Sequence, residues 1–438
     1  MQSVWAEVTM PRFAALDGDI RTDVLIVGGG IAGILAAYSL KSRGVDCVIA
    51  EARTICGGVT QNTTAKITAQ HGFLYDKLIR THGLEKAGLY LRANQEALER
   101  YRRLCASIPC EFEQKDAFAY SLHDAHKVER ELRALERLGY GARAADCAAL
   151  PFAVAGAVCF PDQAQFHPLR FLKEIAKDLR IYEHTEVTEL ANGIARTPHG
   201  SIRAENILIT THFPILNKHG SYFLKLYQQR AYVTAVRGGA DVGGMYIDGD
   251  GGLSWRNSGD LLLIGSGSGR TGKQSGGWRD AEEAARQYYP KATIAYQWAT
   301  QDCMTLDGIP YVGQYSARTP NLYVATGFNK WGMTSAMAAA ELLADLICGK
   351  QNEYAAVFSP SRSILHPQLA LNAVDAVANL LRPTVPRCPH LGCALRWNPR
   401  EHSWDCPCHG SRFDKNGRLL NNPATGDLKK KPQQHKKH

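Results

Sequence analysis

Polar and apolar positions change their period several times along the chain, and each change marks an element. A short β-rich apolar run at 23–27 is followed by Gly28-Gly29-Gly30-Ile31-Ala32-Gly33 and an Ala/Leu-rich helical stretch to Arg43. A second apolar run, 46–50, ends in the acid Glu51. Apolar positions at helical spacing predict amphipathic helices over 84–104 and 128–138. Further helices are expected at 169–179, after Pro168, and at 335–347. The run 207–211 reads as a buried strand, and 229–234 alternates like a half-buried one. An apolar, helix-like stretch at 368–381 gives way almost at once to Pro383, Pro386 and Cys388.

The first of these patterns carries chemistry. Strand, GxGxxG, helix, strand and acid form a dinucleotide-binding unit. Gly28 supplies the tight turn, Gly30 lets the backbone approach a pyrophosphate, and Gly33 lets the helix pack on the strand. The helix start, with Ile31 and Ala32, offers free N–H groups and a positive dipole end. Glu51, 23 residues after Gly28, can bond a ribose hydroxyl, with Ala52 and Arg53 beside it. The unit alone does not separate FAD from NAD.

The last fifty residues hold a second pattern. Cys388-Pro-His390 and Cys406-Pro-Cys408-His409 reduce to Cys-x-His, a fifteen-residue gap, and Cys-x-x-His. Two thiolates and two imidazoles in that order suit a two-iron two-sulfur cluster with one iron on sulfur and the other on nitrogen. Four Cys and two His could also hold a tetrahedral zinc, although zinc sites usually pair Cys with Cys and His with His.

From about Cys388 to Leu428 the chain resembles Rieske proteins. The resemblance implies Cys388, His390, Cys406 and His409 as ligands and a Cys393–Cys408 disulfide beside the cluster. Ser411 matches a hydroxyl that bonds the cluster in such domains. Phe413 stands where a Tyr hydroxyl is often found, so a lower potential is expected. The strands that normally precede the first ligand look absent. So small a lobe builds little core alone and is expected to lean on the rest of the protein.

Three other segments point to FAD. Residues 56–68 form a Gly/Thr-rich loop containing Gly58, Val59, Thr63, Thr64, Ala65 and Lys66. Asp307-Gly-Ile-Pro and Gly327-Phe-Asn-Lys330-Trp331-Gly332-Met333-Thr334 follow much later. Over roughly residues 20–380 these resemble the glycine/D-amino-acid oxidase (DAO) family, especially bacterial members fused to a Rieske domain. The resemblance implies that these segments, with Val187, Thr210 and Thr211, surround FAD. Lys66, Lys330 and Trp331 are then candidates at the flavin, where a lysine can stabilise developing negative charge.

The substrate side is less determined. Arg230 could hold a substrate carboxylate with its planar fork, or be an ordinary edge-strand arginine. Tyr232 is a further candidate for the flavin face. His167 reads as a residue fixing the turn before Pro168, with a functional role as the alternative. The stretch 265–270 is too broken by later glycines to open a helix and reads as a hairpin turn, which argues against a built-in NAD(P)H site. Cys303 is not expected to carry flavin covalently.

Composition changes little in this picture. With 45% hydrophobic and 21% charged residues, the chain is globular. Net charge is +9, of which Lys429, Lys430, Lys431, Lys436 and Lys437 supply five, so the basic tail reads as solvated rather than as a nucleic-acid arm. Eight of the twelve Cys are scattered without a framework, the longest apolar run (24–40) is too short to span a bilayer, and no signal segment is evident. A cytoplasmic location is expected.

The fold class expected is α/β with an α+β substrate subdomain. It is a two-subdomain DAO-like flavoprotein with a Rossmann-type FAD-binding fold, plus a small, shortened all-β Rieske domain. Residues 1–382 form the flavoprotein, with nucleotide-binding parts near 20–80, 160–215 and 305–350 and substrate-domain parts near 81–160 and 216–304. The Rieske domain is 383–430 and the tail 431–438. The function expected is FAD-dependent oxidation of a small amine or amino-acid-like molecule, with one-electron relay to the cluster and then to an external protein or quinone. A redox sensor or electron-transfer module without turnover is the alternative.

Overall fold

The computed structural model describes residues 2–216, 219–273, 276–383 and 386–428; the basic tail lies outside them. A first sheet runs in the order Tyr311–Gln314, Leu322–Thr326, Gly200–Ile209, Ile20–Val27, Cys47–Ala50 and Ile181–Tyr182. All but the first of these neighbours pair in parallel, and Val27 sits level with both Ala50 and Ile209. Their carboxyl ends therefore share one edge, where open parallel sheets bind ligands.

Val24 and Ile26 enter one core while Leu25 and Val27 enter another, so both faces of the central strand are covered. Helix Ile31–Lys41 is apolar nearly all round and buried, packed against helix Gly332–Ile347. Together the two helices bring residues 28–33 and 327–334 to the same edge. Val187 lies in the loop before a short hairpin of Glu189–Ala191 with Ile194–Thr197.

A second sheet of nine strands has Thr293–Thr305 at one edge, beside Leu226–Arg237, which pairs on its other side with Leu261–Arg270. The 265–270 stretch, expected as a hairpin turn, is instead the end of the strand Leu261–Arg270. Gly267, at φ +68, accompanies a register shift opposite Arg230 and Tyr232, so the glycines permit a bulge rather than a reversal. Helix Leu84–Cys105 extends the expected 84–104, and Ala125–Arg137 starts three residues before the expected 128.

The C-terminal lobe is a four-stranded antiparallel sheet of Arg396–Asn398, Ser403–Asp405, Arg412–Asp414 and Leu419–Asn421. Its core is small: four cysteines with Leu395, Phe413 and Ala424. It leans on the body of the protein through buried polar contacts. Arg270 donates to the main-chain oxygens of Pro407 and Cys408, both at 2.8 Å. Gln228 and Gln301 donate to the oxygens of His409 (2.7 Å) and Gly410 (2.8 Å). Asn422 reaches back to the oxygens of Thr211 (2.6 Å) and Phe213 (2.8 Å).

Candidate redox site

At the carboxyl edge of the first sheet lies a cavity of ≈ 860 Å³. Gly28, Gly30, Ile31 and Ala32 form its floor, and Glu51, Ala52 and Arg53 one end. The cradle is tight at its glycines. A Cβ on Gly28 would lie 2.9 Å from the Thr210 oxygen, and one on Gly33 only 2.0 Å from the Gly28 oxygen. Gly33 is thus a helix-packing residue beneath the cavity and not part of its lining. No side chain caps the helix start at Gly30, whose first residues line the cavity, and the Ile31 N–H is taken by Thr60 Oγ1 at 3.0 Å. Glu51 accepts the N–H groups of Gly29 (2.7 Å) and Arg53 (2.8 Å), which fixes its carboxylate.

Gly58, Val59, Thr63, Thr64 and Lys66 line the cavity, as do Val187, Thr210 and Thr211. Gly327, Lys330, Trp331, Gly332 and Met333 close another side. Ala65 is fully buried behind this wall, its oxygen taken by Arg256 at 3.1 Å. Thr334 donates to the Thr68 oxygen at 3.0 Å, away from the lining. Asp307 is also set back; Arg362 grips its carboxylate at 2.6 and 2.9 Å. These three support the walls instead of touching the space.

The charged groups on the lining are mostly spoken for. Lys330 Nζ meets Asp302 Oδ2 at 3.1 Å. Lys66 Nζ donates to the Tyr246 oxygen at 3.1 Å, and burial, with Arg256 nearby, pulls its pKa down to about 7. Trp331 stacks on His71, centroids 4.6 Å apart. Arg230 does not reach the cavity: its Nε donates to Glu401 Oε1 at 2.9 Å and its Nη2 pairs with the other oxygen. Tyr232 lines the cavity and donates to the same Oε1 at 3.1 Å. Cys303 is buried off the lining beside Thr326, and burial pushes its thiol up to about 12. His167 caps the helix Pro168–Ala176, taking the Arg170 N–H at 3.3 Å.

The opposite wall comes from the C-terminal lobe: Leu419, Leu420, Asn421, Asn422, Ala424 and Thr425. Nothing in the sequence around these residues marks them for this. His212 is a second unforeseen lining residue, with an Nε2 that is buried and has no partner among the described residues. Its place just past the strand end at Ile209, at the carboxyl edge of the sheet, was the available signal.

Beyond this wall sit the Cys/His residues of the lobe. Cys393 and Cys408 form a disulfide. Their sulfurs and that of Cys406 lie within 4.8 Å of one another, but the disulfide leaves only Cys406 of this trio as a candidate ligand. Its counterpart is Cys388. A hydrogen bond with Cys406, then Ser411 and the N–H groups of His390 and Leu391, outweigh burial and draw the Cys388 thiol down to about 7. The rings of His390 and His409 stand edge to face, centroids 5.0 Å apart. Burial holds both neutral, lowering them to about 4 and about 3. His409 Nε2 donates to the Phe223 oxygen at 3.0 Å, which leaves Nδ1 as the lone-pair nitrogen, and that atom is buried without a partner among the described residues. Two thiols and two neutral imidazoles, one with its donor nitrogen pinned and its acceptor nitrogen orphaned, fit a mixed Cys/His iron–sulfur cluster. Phe213, fully buried, presents its ring edge-on to both histidines at 6.2 and 6.3 Å. Only His212 separates it from Thr211 on the cavity wall.

Comparison with known proteins agrees with both halves. The family model for FAD dependent oxidoreductase (DAO) matches residues 23–346, and that for the Rieske 2Fe–2S domain matches 363–432. The chain is 34% identical to the putative Rieske 2Fe–2S iron–sulfur protein YhfW of Bacillus subtilis (strain 168), over 98% of this chain and 97% of that one. Glycine oxidase from Geobacillus kaustophilus shares the fold with a TM-score of 0.65 at 22% identity, over 78% of this chain and 99% of that one. L-proline dehydrogenase from P. horikoshii does so with a TM-score of 0.66 at 18% identity, over 79% of this chain and 98% of that one.

Proposed function

Because the chain belongs to the FAD dependent oxidoreductase (DAO) family and ends in a Rieske domain, we propose that it is a dehydrogenase of a small amine or amino-acid-like substrate whose electrons leave through the cluster. When bound, FAD supplies hydride acceptance and the Rieske cluster single-electron acceptance. The likeness in fold to enzymes named for glycine and L-proline supports this substrate class. We place it in the cytoplasm, where the buried Cys393–Cys408 bond is shielded from reductants.

The chain's own residues have separable tasks. Gly28, Gly30, Ile31 and Ala32 cradle the pyrophosphate, with the helix dipole aimed at it. Glu51 orients the ribose. Helix Gly332–Ile347 starts at the cavity, where its positive end favours negative charge on the ring system. Lys66, neutral or charged near pH 7, is the group able to exchange a proton there. Arg230, spent on Glu401, is a docking residue in this reading and not a substrate clamp. Cys388, His390, Cys406 and His409 hold the cluster, and His409 also fixes its position through Phe223.

The observation that carries the reading is the shared wall: Leu419–Asn422, Ala424 and Thr425 of the lobe complete the cavity on one side, and Phe213 packs edge to face with both lobe histidines on the other. An anaerobic screen of amines and amino acids tests it. Loss of flavin absorbance followed by cluster reduction supports it. No bleaching with any amine or amino acid, or hydrogen peroxide as the main product at the same rate in His390→Ala, would overturn it.

A further inference from the structure

Helix Pro367–Leu380 is turned inside out. Its polar residues face the protein: Asn372 accepts from Arg270 at 2.7 Å, Asp375 pairs with Arg270 (3.2 Å) and Lys273 (2.9 Å), and Asn379 accepts from Arg396 at 3.2 Å. The apolar side faces outward. Leu371, Val374 and Val377 are 60%, 68% and 54% exposed, followed by Leu381 at 78%. Ala370, Ala373 and Ala378 fill the spaces between them. An amphipathic helix usually buries the opposite face. Leu365 extends the strip at one end. At the other, Arg387 bridges the oxygens of Leu380 and Gly392, both at 2.9 Å, which brings exposed Leu391, next to His390, alongside. A continuous apolar surface of this kind marks an interaction site.

The charge around the strip identifies what it meets. From 363 to 400 the chain has Arg382, Arg387, Arg396 and Arg400 but a single acid, Asp375, and that acid is turned inward onto two cations. Arg396 is turned inward onto Asn379, whereas Arg382 and Arg387 stand at the C-terminal end of the helix; an outward apolar face bordered by these arginines, with no acid of the segment turned outward, complements a surface that is anionic at its boundary and apolar just beneath. No helix among the described residues is long and apolar enough to cross a membrane, so the strip would lie on such a surface rather than pass through it.

We propose that the face formed by Leu371, Val374, Val377 and Leu381 docks this protein on an anionic lipid bilayer, with helix Pro367–Leu380 in the plane of the interface and His390 close to it. This holds whichever substrate the flavin domain takes. The test is co-sedimentation of the full-length holoprotein with vesicles of phosphatidylcholine alone and of phosphatidylcholine with phosphatidylglycerol. Wild type should pellet with the anionic vesicles, less so as salt rises. The triple variant Leu371→Ser/Val374→Ser/Val377→Ser should lose about tenfold or more of that binding, and Arg382→Gln should lose less. All three side chains are exposed, and an unchanged visible spectrum verifies that both cofactors are retained. Equal binding by wild type and the triple variant would overturn the proposal. So would no binding at low salt, or a dimer by light scattering that the triple variant dissolves, since a second copy would then cover the face.

Discussion

His409 Nε2 donates to the main-chain oxygen of Phe223 at 3.0 Å, so a candidate cluster ligand of the C-terminal lobe is hydrogen-bonded directly to the flavin-binding body. The bond fixes the tautomer, and with Gln228 on the His409 oxygen it ties the lobe to the body. Phe213 stands at the same junction. We expect Phe213→Leu, which nearly conserves volume and costs about 1 kcal/mol of stability, to slow electron arrival at the cluster while flavin bleaching keeps its wild-type rate. Stopped-flow absorbance at flavin and cluster wavelengths separates the two.

Glu401 is shared by Arg230 and Arg412 and bonded by Tyr232, all nearly buried. Removing its charge takes the ion-pair partner from the buried Arg230 and leaves Arg412 with Asp405 at 2.9 Å, so Glu401→Gln should destabilise the docked lobe by about 3–5 kcal/mol. Thermal melts followed separately at flavin and cluster absorbance should show the lobe melting first.

The same carboxylate sets an acid limit. Burial pushes its pKa up, but Arg230 and then Arg412 outweigh this and hold it down to about 2, below the ordinary 4.5. A depressed acid contributes stability above its unfolded value and loses it as pH falls through the folded one. Wild-type stability should therefore fall between about pH 4.5 and 2, and Glu401→Gln should flatten that slope in denaturant titrations.

Gly33→Ala places a Cβ 2.0 Å from the Gly28 oxygen. The helix must shift off the strand, at about 1–3 kcal/mol or more, and the cradle shifts with it. The purified variant should contain little FAD while its cluster absorbance persists.

Phe413 is fully buried in the lobe core and offers no hydroxyl to the cluster, whereas the buried Ser411 carries one, which also accepts the Ala424 N–H at 3.0 Å. Hydrogen bonds to cluster sulfurs raise the potential. Redox titration should give a midpoint in the lower part of the Rieske range, and Phe413→Tyr should raise it.

The sequence carried the parts whose signal is local. The glycines at 28, 30 and 33 and the period change from strand to helix locate the cradle, and the Cys-x-His and Cys-x-x-His spacing locates the candidate ligands. What it hid depends on tertiary contact. Arg230 looked available for a substrate because its partner, Glu401, is 171 residues away. The stretch 265–270 looked like a turn because its glycines are compatible with either a reversal or a bulge, and only pairing with Leu226–Arg237 decides. The lobe's contribution to the cavity, from Leu419 to Thr425, has no residue type that announces it. The periodicity at 368–381 gave the helix but not which side faces inward, since Arg270 and Arg396 come from elsewhere to claim its polar residues.

The central claim is that one chain holds FAD and a Rieske cluster and passes electrons between them. Anaerobic mixing with a substrate that bleaches the flavin, followed by rapid-freeze electron paramagnetic resonance, tests it most directly. Flavin absorbance should be lost first, and the signal of a reduced Rieske cluster should appear within the same turnover. A cluster that stays oxidised throughout, or a lobe that proves to contain zinc and no iron, would contradict it.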